Sequence, residues 1–247
     1  MNDSTVTVND NEPLIDSASP HDVSLVSLAV STVIFALKAD SAGEAASLRL
    51  PLVRRIREPF AGQWALPGGP IEATEGLERA AGRHLLDTTA LSPTYLEQLY
   101  AFGEIDRSPG DRVVSIVYWA LVRSREAQLA AVGENVRWFS ADDLPPLAFD
   151  HNAIVEYALW RLRTKVEYSR IAHAFLGETF TLAELRDVHE AVLRRAIDPA
   201  NFRRQMESSP AIIATGEHLS GGRHRPPKIY RYNGAVELTD RGPLTRS

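Results

Sequence analysis

The sequence contains no cysteine. That excludes structural disulfides, thiolate zinc sites and a thiol nucleophile, and it fits a reducing compartment. Long apolar runs are absent too: stretches such as 113–122 fall far short of the roughly 20 residues a membrane helix needs. The N-terminus lacks a basic segment followed by an apolar one and reads MNDSTVTVNDNEPLIDSASPHD, polar and acidic. The expectation is a cytoplasmic protein, free of membrane spans, with a flexible tail over residues 1–20.

What is present is length and core. With 247 residues and 44% apolar content, the chain has enough material for two domains that fold without cross-links. Its net charge of -5 conceals an asymmetry. Residues 1–160 carry 22 Asp and Glu against 12 Lys and Arg, whereas residues 161–247 carry 10 against 15. An acidic body thus bears a basic C-terminal module. This suggests a nucleic-acid partner for the basic part, although a solvated basic face has the same composition.

Hydrophobic patterning divides the chain in the same way. Residues 24–37 (SLVSLAVSTVIFAL) are apolar and β-branched and predict a buried strand. Residues 47–54 (SLRLPLVR) predict a second, with Pro51 near an edge or bulge. After the Pro67-Gly68-Gly69 punctuation a helix is expected over 74–88, with Thr74 as its cap. Strands over 99–104 and 112–122 flank a turn at 106–111 (DRSPGD), and a short strand at 136–139 precedes a helix over 151–165. The result is a mixed α/β domain over 21–165. Over 166–247 the elements change. Thr181 and Glu184 form a capping box opening one helix, Asp198 and Pro199 open a second through 207, and strands at 211–215 and 228–232 enclose a loop with Arg223, His224 and Arg225. Two helices with a tight break, followed by a basic hairpin, predict a winged helix-turn-helix.

Within the first domain, residues 69–91 (GPIEATEGLERAAGRHLLDTTAL) match the Nudix motif at Gly69, Glu75, Arg83, Leu85 and Leu91 with the family's spacing. They depart from it where His84, Asp87 and Thr88 replace three carboxylates and Ala90 replaces the last glycine. Positions 84, 87 and 88 share one helical face. Three glutamates there would hold magnesium, which takes oxygen ligands and neutralises a pyrophosphate under attack. A histidine, a short aspartate and a hydroxyl are poor replacements. The first domain therefore resembles a degenerate Nudix fold, not an enzyme, for which no metal, cofactor or catalytic residue is expected; His84 reads as a partly exposed helix residue. At and around the motif's start and farther along the chain, Trp64, Gly68, Gly69, Phe102, Arg107, Arg112, Asp150 and His151 resemble positions of Nudix proteins that handle ADP-ribose, and Arg54 and Arg55 add charge suited to phosphates. They are the candidate effector-binding residues, the arginines for phosphates and the aromatics for base or ribose. Singly, each is equally compatible with a surface arginine or a core aromatic.

In the basic module, the second helix is the candidate DNA reader. Asn201, Arg203, Arg204 and Gln205 have side chains suited to base edges, while Phe202 and Met206 face the core. Arg223, Arg225, Lys228 and Thr181 are expected on phosphates or in a minor groove. A winged helix that binds protein is the bland alternative. A ligand-depleted Nudix domain joined to a winged helix ending in PPKIYRY resembles the Nudix-related transcriptional regulators. That resemblance implies a homodimeric repressor of genes of NAD synthesis or salvage, reading a palindromic operator and released by ADP-ribose. The competing expectation is a Nudix hydrolase acting on ADP-ribose or a related nucleoside diphosphate derivative.

Overall fold

The structure, a computed structural model, describes residues 25–39, 45–93, 95–130, 133–168, 170–219 and 226–234. The expected tail and the wing-tip residues Arg223 and Arg225 lie outside them. The first sheet is organised on β1 (Ser27–Lys38), which runs parallel to β6 (Val113–Val122) over ten residues, from Ser27↔Val113 to Ala36↔Val122. On its other side β1 pairs with β2 (Ser47–Arg54) and, near its start, with β4 (Gly68–Pro70). The short β3 (Trp64–Ala65) and β7 (Val136–Ser140) extend the sheet from β2, and β5 (Tyr95–Phe102) closes the far edge against β6.

Both faces of this sheet are covered, which is why β1 and β6 read as nearly continuous apolar runs. The two-residue strand period sorts them. Ile34, Ala36, Ala120 and Val122 pack with Leu85 of α1 (Leu77–Thr89) and Ala127 of α2 (Ser124–Leu129). Val33, Phe35, Val117, Trp119 and Leu121 face the other way, onto Ile154, Ala158 and Leu162 of α3 (His151–Tyr168). Each fully buried aromatic or leucine there contributes roughly 1.5–3 kcal/mol.

The second half follows a 3-10 helix (Arg170–Phe175) and consists of β8 (Thr179–Thr181), α4 (Leu182–Leu193), α5 (Pro199–Ser208), β9 (Ile212–His218) and β10 (Lys228–Tyr232), with strand order β8-β10-β9. Its apolar face is not a separate core. Phe180, Leu182, Leu185, Val188, Val192, Phe202 and Tyr230 belong to the same buried cluster as Phe35 and Trp119. Sequence patterning gives no hint of this continuity, because periodicity reports which face of an element is buried and not what covers it.

Several local expectations change. Thr74 does not cap α1: the helix starts three residues later, with Gly76 in the cap position and no side-chain cap. Glu75 forms the preceding turn instead, accepting the Glu72 amide at 2.9 Å and a two-point pair from Arg83. The strand expected at 99–104 runs from Tyr95 to Phe102, and the helix expected to stop at 165 continues to Tyr168. Pro51 lies past the last β1 partner of β2, Arg49, and opposite Trp138 of β7. The capping box holds: the Glu184 amide donates to Thr181 Oγ1 (3.2 Å) and the Thr181 amide to Glu184 Oε2 (2.7 Å). Asp198 Oδ1 likewise accepts the Asn201 amide at 2.8 Å.

Candidate functional site

The altered motif folds as a loop and helix whose polar groups are tied to one another. His84 Nε2 donates to the Pro70 carbonyl at 2.9 Å, and Thr88 Oγ1 donates to the His84 carbonyl. Gly69 leaves room for that ring, since a Cβ there would stand 2.4 Å from His84 Cε1 and push the imidazole aside. Asp87 is exposed on the same face. His84 is partly exposed, as expected, and also clamps the loop. Arg83 holds the Glu75 carboxyl down at about 2, its hydrogen bond first and the Glu72 amide second. These residues do not fit a magnesium ion, which takes hard oxygen ligands: His84 offers a ring nitrogen, Thr88 a neutral hydroxyl, and one aspartate remains. Among the described residues, no three His, Asp or Glu converge as a metal site. Ala90, where the family has glycine, ends α1 in the left-handed region at φ 56, a conformation that costs an L residue roughly 1 kcal/mol.

Beside this loop lies a cleft of about 360 Å³ between β1, β4, β6 and the start of α3. Five of the ten expected effector residues line it: Arg55, Gly68, Gly69, Arg107 and His151. Gly68 admits no side chain, because a Cβ would lie 2.2 Å from the Val30 carbonyl oxygen. Arg107 is almost fully buried and donates from Nε and Nη2 to Asp150 at 2.9 and 2.7 Å. Asp150 therefore acts on the cleft through Arg107. His151 Nδ1 accepts the Leu66 amide at 2.9 Å, which leaves the proton of the neutral ring on Nε2. Burial pulls its pKa down to about 4, with Arg107 and Arg55 adding in the same direction against Asp150.

The remaining four stand outside the cleft. Arg54, the last residue of β2, donates to the Gly62 carbonyl at 3.1 Å. Trp64 packs edge-on against Phe139 with Arg137 over its ring. Phe102 joins Tyr100 and Tyr157 in an aromatic cluster on α3. Arg112 donates to the Glu104 carbonyl and closes the β5–β6 turn. The cleft also holds residues that patterning missed. Ser31 and Ser115 lie on its floor, buried, with their hydroxyls 3.0 Å apart. Phe149, at φ 57, stacks under the Arg55 guanidinium at 4.6 Å. A small hydroxyl inside each apolar run, SLAVSTVIFAL and VVSIVYW, was the available signal for the serines.

The second site is the open face of α5. Asn201, Arg203, Arg204 and Gln205 are all exposed, whereas Phe202 is buried and Met206 half-buried. Asn201 Oδ1 accepts from Arg204 Nη2 at 2.9 Å. Arg203 lines a cleft of about 470 Å³ together with Pro226, Pro227 and Lys228 of the wing, so the helix and the hairpin strand share one surface. Two expectations shift. Thr181 is buried, and its hydroxyl both donates to and accepts from Glu184, so it caps α4 while lining the cleft shared with Arg203 and Lys228. Lys228 shares its charge with Glu207 at 3.7 Å. Tyr230 donates to the same carboxylate at 2.8 Å, and burial first, Glu207 second, push its hydroxyl up to about 12.

Residues 30–158 match the NUDIX domain family and residues 172–232 the NrtR DNA-binding winged helix domain. The chain is 31% identical over 190 residues to the ADPR responsive transcriptional repressor NtrR of Acinetobacter baylyi, covering 75% of this chain and 76% of that protein. It superposes on the crystal structure of Shewanella oneidensis NrtR complexed with a 27mer DNA with a TM-score of 0.71 and 36% identity, over 83% of this chain and 93% of that one. A stretch of 114 residues is 34% identical to an ADP-ribose pyrophosphatase of Methanocaldococcus jannaschii, covering 46% of this chain and 68% of that protein.

Proposed function

Because the chain belongs to the NrtR family of Nudix-related transcriptional repressors, we propose that α5 and the wing bind operator DNA and that ADP-ribose, bound in the β1–β4–β6 cleft, releases it. Arg55, Gly68, Gly69, Arg107 and His151 shape the effector site, joined by Ser31, Ser115 and Phe149; Asn201, Arg203, Arg204 and Gln205 read the DNA. In this reading two copies bind a palindromic operator of NAD synthesis or salvage genes, since protein two-fold symmetry calls for two half-sites.

One observation carries the reading. The helix face that would hold catalytic metal carries His84 and Thr88, each bonded to a backbone carbonyl, where the family motif has carboxylates, while the basic face of α5 stands open. The domain keeps a ligand cleft without the ligands for cleavage. Effector binding then needs only to favour a state that binds DNA less well.

The test is fluorescence anisotropy on a duplex that the full-length protein selects from random sequence. Its Kd rises steeply with salt and rises again with ADP-ribose. Binding insensitive to both would contradict the reading. The similarity to a pyrophosphatase supports a second reading, a hydrolase with an accessory domain. That reading requires AMP and ribose 5-phosphate to accumulate from ADP-ribose with magnesium or manganese.

A further inference from the structure

Asp142 opens the loop between β7 and α3, and its carboxylate meets two arginines. One oxygen accepts from Arg163 Nη2 of α3, and the other lies 3.5 Å from Arg194 Nε. Arg163 also donates from Nε to the Val192 carbonyl, 3.0 Å away, in the last turn of α4. A cation is favourable there, at the negative end of the helix dipole. Arg194 is the left-handed C-cap of α4, at φ 53, and the chain then turns into the α5 cap at Asp198. The turn between the two helices of the DNA-binding unit is thus held to the first domain by the Asp142 carboxylate at Arg194 and by Arg163 directly at the Val192 carbonyl.

The other end of the same loop is a wall of the cleft. Phe149 lies under Arg55, Asp150 grips Arg107, and His151 accepts the Leu66 amide. Between the two ends the loop is braced. Asn152 accepts the Leu147 amide at 2.8 Å and donates to the Pro145 carbonyl at 3.2 Å, and the Ala148 amide donates to the Trp64 carbonyl at 2.8 Å. These bonds tie residues 145–152 to one another and to β3, next to the cleft.

We infer that Asp142 is a positioning residue that carries the state of the cleft to the recognition helix. The inference rests on the repressor reading above. An effector anion that competes with Asp150 for Arg107, or that moves Phe149 away from Arg55, shifts a loop whose far end fixes the α4–α5 turn. Arg194 is 64% exposed. Its pair therefore contributes little to stability, and removing it perturbs the link more than the fold.

The experiment measures duplex Kd with and without saturating ADP-ribose for the full-length wild type, Asp142→Asn, Arg194→Ala and Arg194→Lys. Asp143→Asn serves as control, since Asp143 is exposed beside the clamp and its carboxylate is not part of it. In the wild type and in the two proteins that keep the link, Arg194→Lys and Asp143→Asn, ADP-ribose raises the Kd about tenfold or more, in the usual range of allosteric coupling. In Asp142→Asn and Arg194→Ala the factor falls below about threefold, while binding of DNA alone and of ADP-ribose alone stays within about threefold of wild type. Linkage supplies a second readout that a merely structural role would not move: DNA weakens ADP-ribose binding by the same factor in each protein. Full coupling in both link-breaking variants overturns the inference alone, and so does loss of DNA binding itself in Arg194→Ala. A wild type whose DNA affinity ignores ADP-ribose overturns the repressor reading and the inference together.

Discussion

The candidate ligand site and the open face of α5 use arginine in opposite ways. Around the first site several guanidinium groups are held: Arg107 by Asp150, Arg83 by Glu75, and Arg54, Arg55 and Arg112 by backbone carbonyls. On α5, Arg203 and Arg204 are exposed and carry no carboxylate partner among the described residues. Held cations shape a pocket that a small ligand enters with little reorganisation. Open cations are available to a polyanion, which displaces counterions on binding. The contrast separates the two sites more sharply than net charge does.

The largest expected effect comes from breaking a held pair. Arg107→Ala leaves Asp150 without its partner in a largely buried setting. It should destabilise the fold by about 3–5 kcal/mol in urea unfolding and abolish effector binding. A variant as stable as wild type would mean that Arg107 is not structural. Next comes His151. Burial holds its pKa at about 4, against about 6.5 in an unfolded chain. Its contribution is complete above pH 6.5 and is lost as pH falls through 4, amounting to up to about 3 kcal/mol. His151→Gln, which retains an acceptor for the Leu66 amide, should flatten the stability profile between those pH values. An unchanged slope would place the titration elsewhere.

The open cations give smaller effects of a different kind. Arg203→Ala should weaken DNA binding about tenfold or more, about 1.4–3 kcal/mol, while stability stays within about 0.5 kcal/mol. Equal losses in both would show that Arg203 is held after all. Lys228, shared with Glu207, lies between the classes, so Lys228→Ala should weaken DNA binding by only about threefold and lower the salt slope by less than one. A loss as large as that of Arg203→Ala would erase the distinction between shared and open charge.

Much of the fold was legible from local rules. Strand β2, the capping box at Thr181 and the Asp198-Pro199 start of α5 all follow from side chains that act on their own neighbours. The start of α1 departs from the Thr74 expectation because Glu75 is the residue whose side chain organises that turn, and its partner Arg83 lies eight residues away. The candidate site was half legible. Arg55, Gly68, Gly69, Arg107 and His151 converge as expected. Arg54, Trp64, Phe102 and Arg112 do not, because a motif gives positions along the chain, while strand alternation and the packing of α3 decide which way each side chain turns. The serine pair joins strands 84 residues apart in sequence, a contact that only the parallel register of β1 and β6 creates.

The most direct test follows DNA and ligand in one sample. The protein bound to its selected duplex receives ADP-ribose with magnesium; anisotropy records release of the duplex, and phosphorus NMR records the ligand. The account predicts that the duplex is released while the ADP-ribose signals remain intact through many binding cycles. Stoichiometric conversion to AMP and ribose 5-phosphate, or a duplex that stays bound at saturating ligand, would contradict it.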